Sequence, residues 1–411
     1  MRDDQRIVLM RGLRQFAYGL LAVVLGISLT DAGFSPAAIG ALITVSLAGD
    51  FGGTYLIALH ADRWGRRRTL IVLAALMAAT GAVFGLTRLY PLLLVAGFVG
   101  TLGSSASETA PFLPVEQAML PLTCPPAQRT ALFARYNLVA SLAGALGALV
   151  AGLPALLVRF GLAETLATQL LFGVYAAAAL VVALLVARLS PGVEAPPAER
   201  AHAGTARPSW QRVLPSLGKS RRVVLPLAAL FSVDALAGGL IVQSLMALFF
   251  HLRFGVSLAA LGVLFFGANL LAALSFLAAP QLARRFGLLN TMVFTHLPSN
   301  VLLALVAFAP TFPIAAALLL VRQTLSQMDV PTRQAYTMAL VDPEERTAAA
   351  SVTSLARSLG SSTSPVLSGL LLQGPLLILG LPFILAGTLK VAYDLTLWSI
   401  FRRVHLKEEM P

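Results

Sequence analysis

The stretch ALHADRWGRRRTLIVLAALMAATG, residues 58–81, places one carboxylate and four arginines directly before a long apolar run. This pattern is typical of a loop that leads into a membrane-spanning helix, because a helix needs about 20 apolar residues to cross the hydrocarbon core. The composition agrees: 57% of the residues are hydrophobic and only 12% are charged, whereas soluble domains are about 45–50% apolar and about 25% charged. The sequence therefore predicts an integral membrane protein.

Apolar segments of spanning length recur along the whole chain of 411 residues. A transmembrane barrel would show short alternating strands instead of continuous apolar segments. The predicted fold class is therefore an all-α membrane protein with twelve transmembrane helices, of which the fourth and tenth are interrupted by proline and serine. The predicted spans are 13–31, 37–60, 69–90, 91–113, 130–157, 165–188, 222–250, 256–280, 288–309, 312–330, 347–372 and 377–401.

The distribution of basic residues predicts the orientation of these spans. Of the 30 lysines and arginines, 24 fall at the two termini and in the loops on one side of the predicted membrane. Because cytoplasmic loops accumulate lysine and arginine, both termini are predicted to be cytoplasmic, in a multi-pass protein of the cell (plasma or inner) membrane. The net charge of +12 then reflects topology, and no nucleic-acid partner is predicted.

The sequence offers little material for enzymatic or metal chemistry. A lone cysteine, Cys124, excludes an intrachain disulfide, and the five histidines show no metal-ligand spacing. No glycine-rich phosphate loop precedes a helix in a soluble domain. We therefore predict no enzymatic activity, no cofactor and no metal site.

The chain divides into two halves that resemble each other. Residues 190–221 are too short, and too rich in proline, alanine and charge, to bury a core, so they are predicted to link a bundle at 1–189 to a bundle at 222–411. At an offset of 217 residues, Pro114–Gly152 aligns without gaps onto Pro331–Gly369, with identities at proline, glutamine, arginine and glycine. The charged cluster of the opening stretch has a worn copy, LARRFGLLNTMV, at 282–293. Such repeats are common in transporters and predict two pseudo-symmetric six-helix bundles.

Twelve spans, a basic linker and the cluster DRWGRRR at 62–68 resemble the major facilitator superfamily, whose loop between spans two and three has a Gly-x-Leu-x-Asp-Arg-x-Gly-Arg-Arg pattern. The chain departs from this pattern at its start, where Ala58 stands in place of glycine. The resemblance implies a transporter similar to drug:proton antiporters. It also implies that the cluster latches the two halves on the cytoplasmic side in the outward-open state, through Asp62, Arg63, Gly65 and Arg66. The alternative is that the arginines only anchor the topology and bind anionic headgroups.

Ionisable side chains inside spans are costly and by default mark function. The resemblance implies a cavity lined mainly by spans one, four, seven and ten. Glu108, among the small residues and prolines of span four, is a candidate proton carrier, and a structural ion pair with a basic residue such as Arg322 is the alternative. The predicted residues of the substrate and proton cavity are Tyr18, Asp50, Glu108, Asp234, Gln243, Arg322 and Gln323.

Arg322 is the strongest single candidate, because a guanidinium stays charged and must face a cavity or a carboxylate inside the membrane. Asp329 lies seven residues further on, about two helical turns. It is predicted to form a second-half gate with Arg333 or Arg346, and a solvated helix end is the alternative. A separate pair on span twelve, between residues 390 and 394, has the spacing of a structural ion pair on one helix face.

Together these features predict a secondary transporter that moves a small-molecule substrate across the lipid bilayer by alternating access. The proton is the predicted coupling ion, export is the predicted direction, and the protein is predicted to be a monomer. The first alternative is uptake or exchange of an organic anion through Arg322. The second alternative is a membrane sensor or scaffold that uses the same fold without transport.

Overall fold

A computed structural model describes residues 1–103, 111–125, 128–194, 220–342 and 345–404, apart from the side chains at positions 58, 59, 130 and 347. The regular structure of this part of the chain is helical. Among the described residues, nine helical segments are long and apolar enough to cross a membrane. The predicted all-α membrane class is therefore confirmed.

The chain divides into two compact units, Met1–Ala206 with Gln243–Phe266, and Arg207–Val242 with Gly267–Pro411. The bundle boundaries predicted at 189 and 222 stay a prediction. The helices of the first unit are α1 (Asp3–Asp31), α2 (Pro36–Trp64), α3 (Arg66–Leu86), α4 (Tyr90–Val99), α5 (Phe112–Met119), α6 (Arg129–Val150), α7 (Leu153–Arg159), α8 (Glu164–Ala187) and α10 (Gln243–Phe254).

The second unit contains the remaining helices, and α11 runs from the first unit into the second. They are α9 (Arg221–Leu240), α11 (Leu258–Phe286), α12 (Leu288–Val306), α13 (Phe312–Gln323), α14 (Asp329–Leu340), α15 (Arg346–Thr363), α16 (Pro365–Leu371), α17 (Leu376–Leu379) and α18 (Leu381–Phe401).

The first helix begins ten residues earlier than the apolar run predicts. Asp3 and Asp4 lie in its first turn, where carboxylates interact favourably with the N-terminal end of the helix dipole. Asp4 also forms an ion pair with Arg135 of α6 at 3.2 Å. Because the helix extends to Asp3, Arg11 lies inside it and is buried, although it precedes the predicted span; Arg14, inside the predicted span, is buried as well.

The interruptions predicted in spans four and ten are present. In span four, α4 ends at Val99 and residues 100–103 are not helical. In span ten, α13 ends at Gln323, and the next helix, α14, begins only at Asp329, close to the predicted end of the span at 330. The apolar helices α4 and α13 have only 10 and 12 residues and are shorter than a full span. Helix α15 is rich in serine and threonine and also falls outside the nine apolar segments. Spans four, ten and eleven therefore carry the weakest apolar signal of the twelve.

Two glycines at corresponding positions turn the chain between consecutive helices. Gly65 links α2 to α3 with φ +93°, and Gly287 links α11 to α12 with φ +81°. Positive φ is costly for residues with a side chain. A single glycine therefore suffices to connect the two consecutive helices at each of these turns. Gly287 lies in the worn copy of the 58–81 stretch, which supports the internal repeat.

Close packing in the first unit relies on small residues. A Cβ atom at Gly19 of α1 would collide with the backbone of Gly144 in α6, and one at Gly147 would collide with the backbone of Phe16. Glycine at these positions lets two helix backbones approach closely, as is common in membrane bundles. The outer face of α8 carries exposed apolar residues such as Leu180 and Leu184, as expected for a face in contact with lipid.

Candidate functional site

The loop that follows α2 is built around Arg66. Its Nε donates to Asp62 at 2.7 Å, and its Nη1 donates to the carbonyls of Ala118 at 3.3 Å and Val193 at 3.4 Å. Arg66 is 5% exposed, whereas Arg63 is exposed. The structure therefore brings Asp62, Gly65 and Arg66 of the predicted latch together, and Arg63 lies outside their contact.

The start of α3 is bound by a carboxylate that the sequence analysis did not identify. Glu194 accepts hydrogen bonds from the backbone amides of Arg66 at 2.7 Å and Arg67 at 3.2 Å. The first amides of a helix have no partner within the helix and carry partial positive charge. Glu194 supplies the missing acceptor and ties the chain after α8 to this loop.

A buried ion pair joins α1 to α5 in the first unit. Arg14 donates from Nη1 and Nη2 to the two carboxylate oxygens of Glu116 at 2.5 and 2.8 Å, and both side chains are 0% exposed. Tyr136 of α6 donates to the same carboxylate at 2.5 Å, and the Arg14 guanidinium lies 4.3 Å from the ring centroid of Phe112. Bidentate geometry and additional hydrogen bonds are what allow a buried pair to offset the cost of desolvation.

Asp50 differs from the other buried carboxylates. It lies inside α2 and is 7% exposed, and its Oδ1 has no hydrogen-bond partner among the described residues. In that part of the chain every other buried carboxylate, at positions 4, 116, 234, 329 and 394, takes part in an ion pair. Asp50 is therefore the buried carboxyl group that has no counter-charge among the described residues.

Two further predicted cavity residues are buried in the first unit. Tyr18 of α1 lies 6.4 Å from Tyr175 of α8, measured between ring centroids. Gln243 begins α10, and its Nε2 makes no hydrogen bond to any described residue. Glu108 lies outside the described residues, so its assignment stays a prediction.

The second unit holds a larger buried network around Asp234 of α9. The Asp234 carboxylate lies 2.5 Å from Lys390 Nζ, 2.9 Å from Arg357 Nη1 and 3.6 Å from Arg333 Nη1. Its side chain is 4% exposed, and His296 Nε2 lies 4.0 Å away. One carboxylate thus draws together cations from α14, α15 and α18.

The predicted second-half gate contains one observed pair. Arg333 donates to Asp329 at 2.6 Å, one turn apart on α14, and the Asp329 side chain is 5% exposed, so this residue is not a solvated helix end. The Arg333 guanidinium also lies 5.6 Å from the ring centroid of Phe231. Arg346 donates from Nε to the Met338 carbonyl at 3.3 Å. A gating role for these residues stays a prediction.

The ion pair predicted on span twelve is wrong. Lys390 contacts Asp234, and Asp394 instead accepts from His296 Nδ1 at 2.9 Å and from Asn300 Nδ2 at 2.9 Å. A pair four residues apart on one helix stabilises by only about 0.3–0.5 kcal/mol. In the buried network each carboxylate instead has hydrogen-bond donors from other helices: Asp234 of α9 contacts Lys390, and Asp394 of α18 accepts from His296 and Asn300.

Arg322 is buried at the end of α13, where it is 7% exposed. Its Nη1 donates to Gln323 Oε1 at 3.2 Å, and the same oxygen accepts from Ser326 at 2.5 Å. Within the described part of the chain, Nε has no partner, and no carboxylate lies within the 4.0 Å of an ion pair. The predicted residues Arg322 and Gln323 therefore form one polar group, whose guanidinium has no direct ion pair among the described residues.

Sequence reasoning missed Glu116, His296 and Glu194. Glu116 had a usable signal, because the internal repeat aligns it with Arg333, one of the predicted gate residues. His296 and Glu194 had none, because their partners lie about 100 residues or more away along the chain. Long-range pairing is decided by tertiary packing, which local spacing does not report.

Comparison with known proteins identifies the relatives of this chain. Residues 7–365 match the Major Facilitator Superfamily. A membrane protein of Saccharomyces cerevisiae, itself described as uncharacterized, is 29% identical over 419 residues, which cover 96% of this chain and 93% of the yeast protein.

Solved structures share the fold at low sequence identity. The nucleoside transporter NupG superposes with a TM-score of 0.77 at 15% identity, covering 97% of this chain and 100% of that one. A D-xylose-proton symporter gives 0.72 at 15% identity, covering 96% and 97%. A bacterial homolog of the human lysosomal transporter Spinster gives 0.72 at 15% identity, covering 100% and 98%.

Proposed function

The chain belongs to the Major Facilitator Superfamily, and on that premise we propose that it is a proton-coupled secondary transporter that exports a small organic solute by alternating access. The family and the fold are those of membrane transporters, not of enzymes. Movement against a gradient needs an energy source, and the sequence holds no nucleotide-binding motif. A proton gradient is the proposed driving force.

Asp50 is the proposed proton-binding group, and its isolation is the observation that carries the proposal. An ionised carboxylate that is buried without a counter-charge costs several kcal/mol, and a bound proton removes that cost. Asp50 has no such counter-charge among the described residues. Glu116 and Asp234 have arginine or lysine partners at 2.5 Å, so a proton would have to compete with a fixed cation at those sites. Among the described carboxyl groups, Asp50 is thus the one best suited to gain and lose a proton during transport.

Export is proposed from the resemblance of the loop at 62–68 to that of drug:proton antiporters. The excess of lysine and arginine on one side of the predicted membrane supports an orientation with both termini in the cytoplasm, and the cell membrane is the proposed location. A monomer in the lipid bilayer is the proposed assembly.

Proteoliposomes with a trapped pH-sensitive dye test this function. With an imposed pH gradient, we expect a panel of cationic, neutral and anionic amphiphiles to include one solute that moves protons through the parent protein. Asp50→Asn should abolish that proton movement. Asp31→Asn, which removes an exposed carboxylate at the end of α1, is the matched control and should leave it unchanged. Equal proton movement through Asp50→Asn and the parent would contradict the assignment.

Uptake or exchange of an organic anion through Arg322 is the second candidate. The observation that favours it is the burial of the Arg322 guanidinium with no carboxylate in ion-pair range among the described residues. A solute carboxylate can accept two parallel hydrogen bonds from the fork of a guanidinium. Exchange of labelled succinate across proteoliposomes preloaded with succinate tests this candidate. Arg322→Gln should abolish the exchange, and proton-driven export of cations alone would contradict it.

A further inference from the structure

Besides Arg322 of the second unit, a buried guanidinium in the first unit, that of Arg11, also has no counter-charge among the described residues. It lies on α1, is 1% exposed, and its Nε, Nη1 and Nη2 atoms are buried without a hydrogen-bond partner among the described residues. Buried polar side chains almost always have partners, so each exception calls for an explanation. A buried cation with five N–H groups and no acceptor is the most costly kind of exception.

The neighbouring charges are already engaged, so none of them compensates Arg11. One turn further along α1, Arg14 takes the carboxylate of Glu116 in a bidentate pair. At the start of the same helix, Asp4 is paired with Arg135 of α6. Arg11 lies between these two pairs along α1 and is therefore, among the described residues, an unpaired positive charge where α1 packs against α6.

The guanidinium of Arg11 is nevertheless supported on one face. Its Cζ lies 5.2 Å from the ring centroid of Tyr136, and the hydroxyl of that ring is fixed by its 2.5 Å hydrogen bond to Glu116. A guanidinium within about 6 Å of an aromatic ring centroid gains a cation–π interaction, but that interaction gives its N–H groups no hydrogen-bond acceptor.

We propose that Arg11 binds the anionic group of a small organic solute, a carboxylate or a phosphate. Such groups match the planar fork of a guanidinium and form its strongest hydrogen bonds. The inference deepens the organic-anion candidate and rests on the proposed transport function for the way in which the solute reaches the site. Arg322 provides the same chemistry in the second unit, so among the described residues each unit carries one buried guanidinium that lacks a carboxylate partner.

Two substitutions one turn apart give opposite expectations and so test the proposal. Arg11→Met removes an uncompensated buried cation, which should leave Tm unchanged or raise it. Arg14→Met removes the partner of Glu116 and should lower Tm, because it leaves a buried carboxylate uncompensated. A fall in Tm for Arg11→Met as large as that for Arg14→Met would show that Arg11 is held by structural contacts and would overturn the proposal.

Binding is measured separately from transport, on protein purified in neutral detergent. Benzoate, succinate and inorganic phosphate are the probes, each compared with sodium chloride at equal ionic strength. At about one hundred times Kd, a ligand that binds the folded state should raise Tm by about 3 °C in a chain of this length. We expect that rise for at least one probe with the parent and with Arg68→Met, which removes an exposed arginine, and no rise with Arg11→Met.

The remaining outcomes overturn the proposal. An equal rise in the parent and in Arg11→Met would show general salt stabilisation. A rise produced only by phosphatidylglycerol in mixed micelles would identify a lipid headgroup as the ligand instead of a solute. No rise with any probe would leave Arg11 without an anionic ligand. Because these readings need no flux, absence of both proton movement and succinate exchange in proteoliposomes would contradict the transport function and leave the binding result unaffected.

Discussion

Glu116 and Arg333 occupy equivalent positions in the two repeats and carry opposite charges. The ungapped alignment at an offset of 217 residues places one on the other. Glu116 pairs with Arg14 at 2.5 Å, and Arg333 pairs with Asp329 at 2.6 Å. Each pair is buried, so a buried ion pair at this position is common to both units although its polarity is reversed.

The surroundings of the two pairs are also alike. Phe112, two residues before the aligned segment, falls on Asp329 at the offset of 217. Each unit contains one arginine, one carboxylate and one phenylalanine around this position, in a different arrangement. In both units the arginine pairs with the carboxylate and lies against the phenylalanine ring. The contacts are shared between the repeats, whereas the residue types at individual positions are not.

Glu116→Gln should destabilise the protein strongly, because it leaves the buried Arg14 guanidinium without its counter-charge. Removal of one partner of a buried ion pair typically costs about 3–5 kcal/mol, whereas replacement of both by apolar residues is often neutral. The double variant Arg14→Met/Glu116→Met should therefore recover most of the loss. Thermal unfolding in detergent measures both effects.

Glu164→Gln removes an exposed carboxylate at the start of α8 and is the control for this pair. Its Tm should match that of the parent. A double variant no more stable than Glu116→Gln alone would show that Arg14 contributes through other contacts, such as its interaction with the Phe112 ring.

Glu194→Ala should lower stability by about 1 kcal/mol, the usual cost of losing a side chain that caps a helix N-terminus. Its carboxylate accepts from the first two amides of α3. Asp62→Asn should cost at most about 0.5 kcal/mol, because the Asp62 side chain is 46% exposed and such pairs are screened by water.

If Asp62 acts as a latch, the Asp62→Asn variant should lose transport in the proteoliposome assay while its Tm stays close to that of the parent. Glu194→Ala, in contrast, should lower the stability of the protein, and any loss of transport should follow from that lower stability. Parallel losses of transport and stability in both variants would favour a purely structural role for the loop.

The fold could be predicted from the sequence because its signals are local. Continuous apolar segments and the bias of arginine between loops depend only on residues near one another, and so does the glycine turn at Gly65. The early start of α1 was missed because Arg11 precedes the apolar run and reads as a terminal charge; only its burial shows that it belongs to the helix.

The pairing of buried charges could not be predicted in the same way. Arg14 and Glu116 are 102 residues apart, and Lys390 and Asp234 are 156 apart. The local rule for residues four apart selected Lys390 and Asp394, and the buried network overruled it. Which carboxylate is enclosed with which cation depends on how the helices pack. The internal repeat was the exception, because it connected Glu116 to a position already singled out in the other half.

His296→Leu should destabilise the second unit, because Asp394 is 0% exposed and would keep only its bond from Asn300. The expected loss is about 2–4 kcal/mol, from one charged hydrogen bond and a poorly compensated carboxylate. His296→Gln retains an N–H donor of similar reach and should lose less. Thermal unfolding of the two variants measures the difference, and equal losses would indicate that packing of the ring against Tyr393 outweighs the hydrogen bond.

Arg322→Met and Arg333→Met should change stability in opposite ways, although both remove a buried arginine, one from α13 and one from α14. Arg333 pairs with Asp329 and lies near Asp234. Its loss leaves a buried carboxylate without its cation and should cost about 3–5 kcal/mol. Arg322 has no ion pair within the described residues and contacts only the Gln323 amide, so Arg322→Met should be neutral or stabilising. Thermal unfolding measured without added anions separates the two cases. A large loss for Arg322→Met would mean that its charge is already compensated in the folded protein, and the organic-anion candidate would then lose the observation on which it depends.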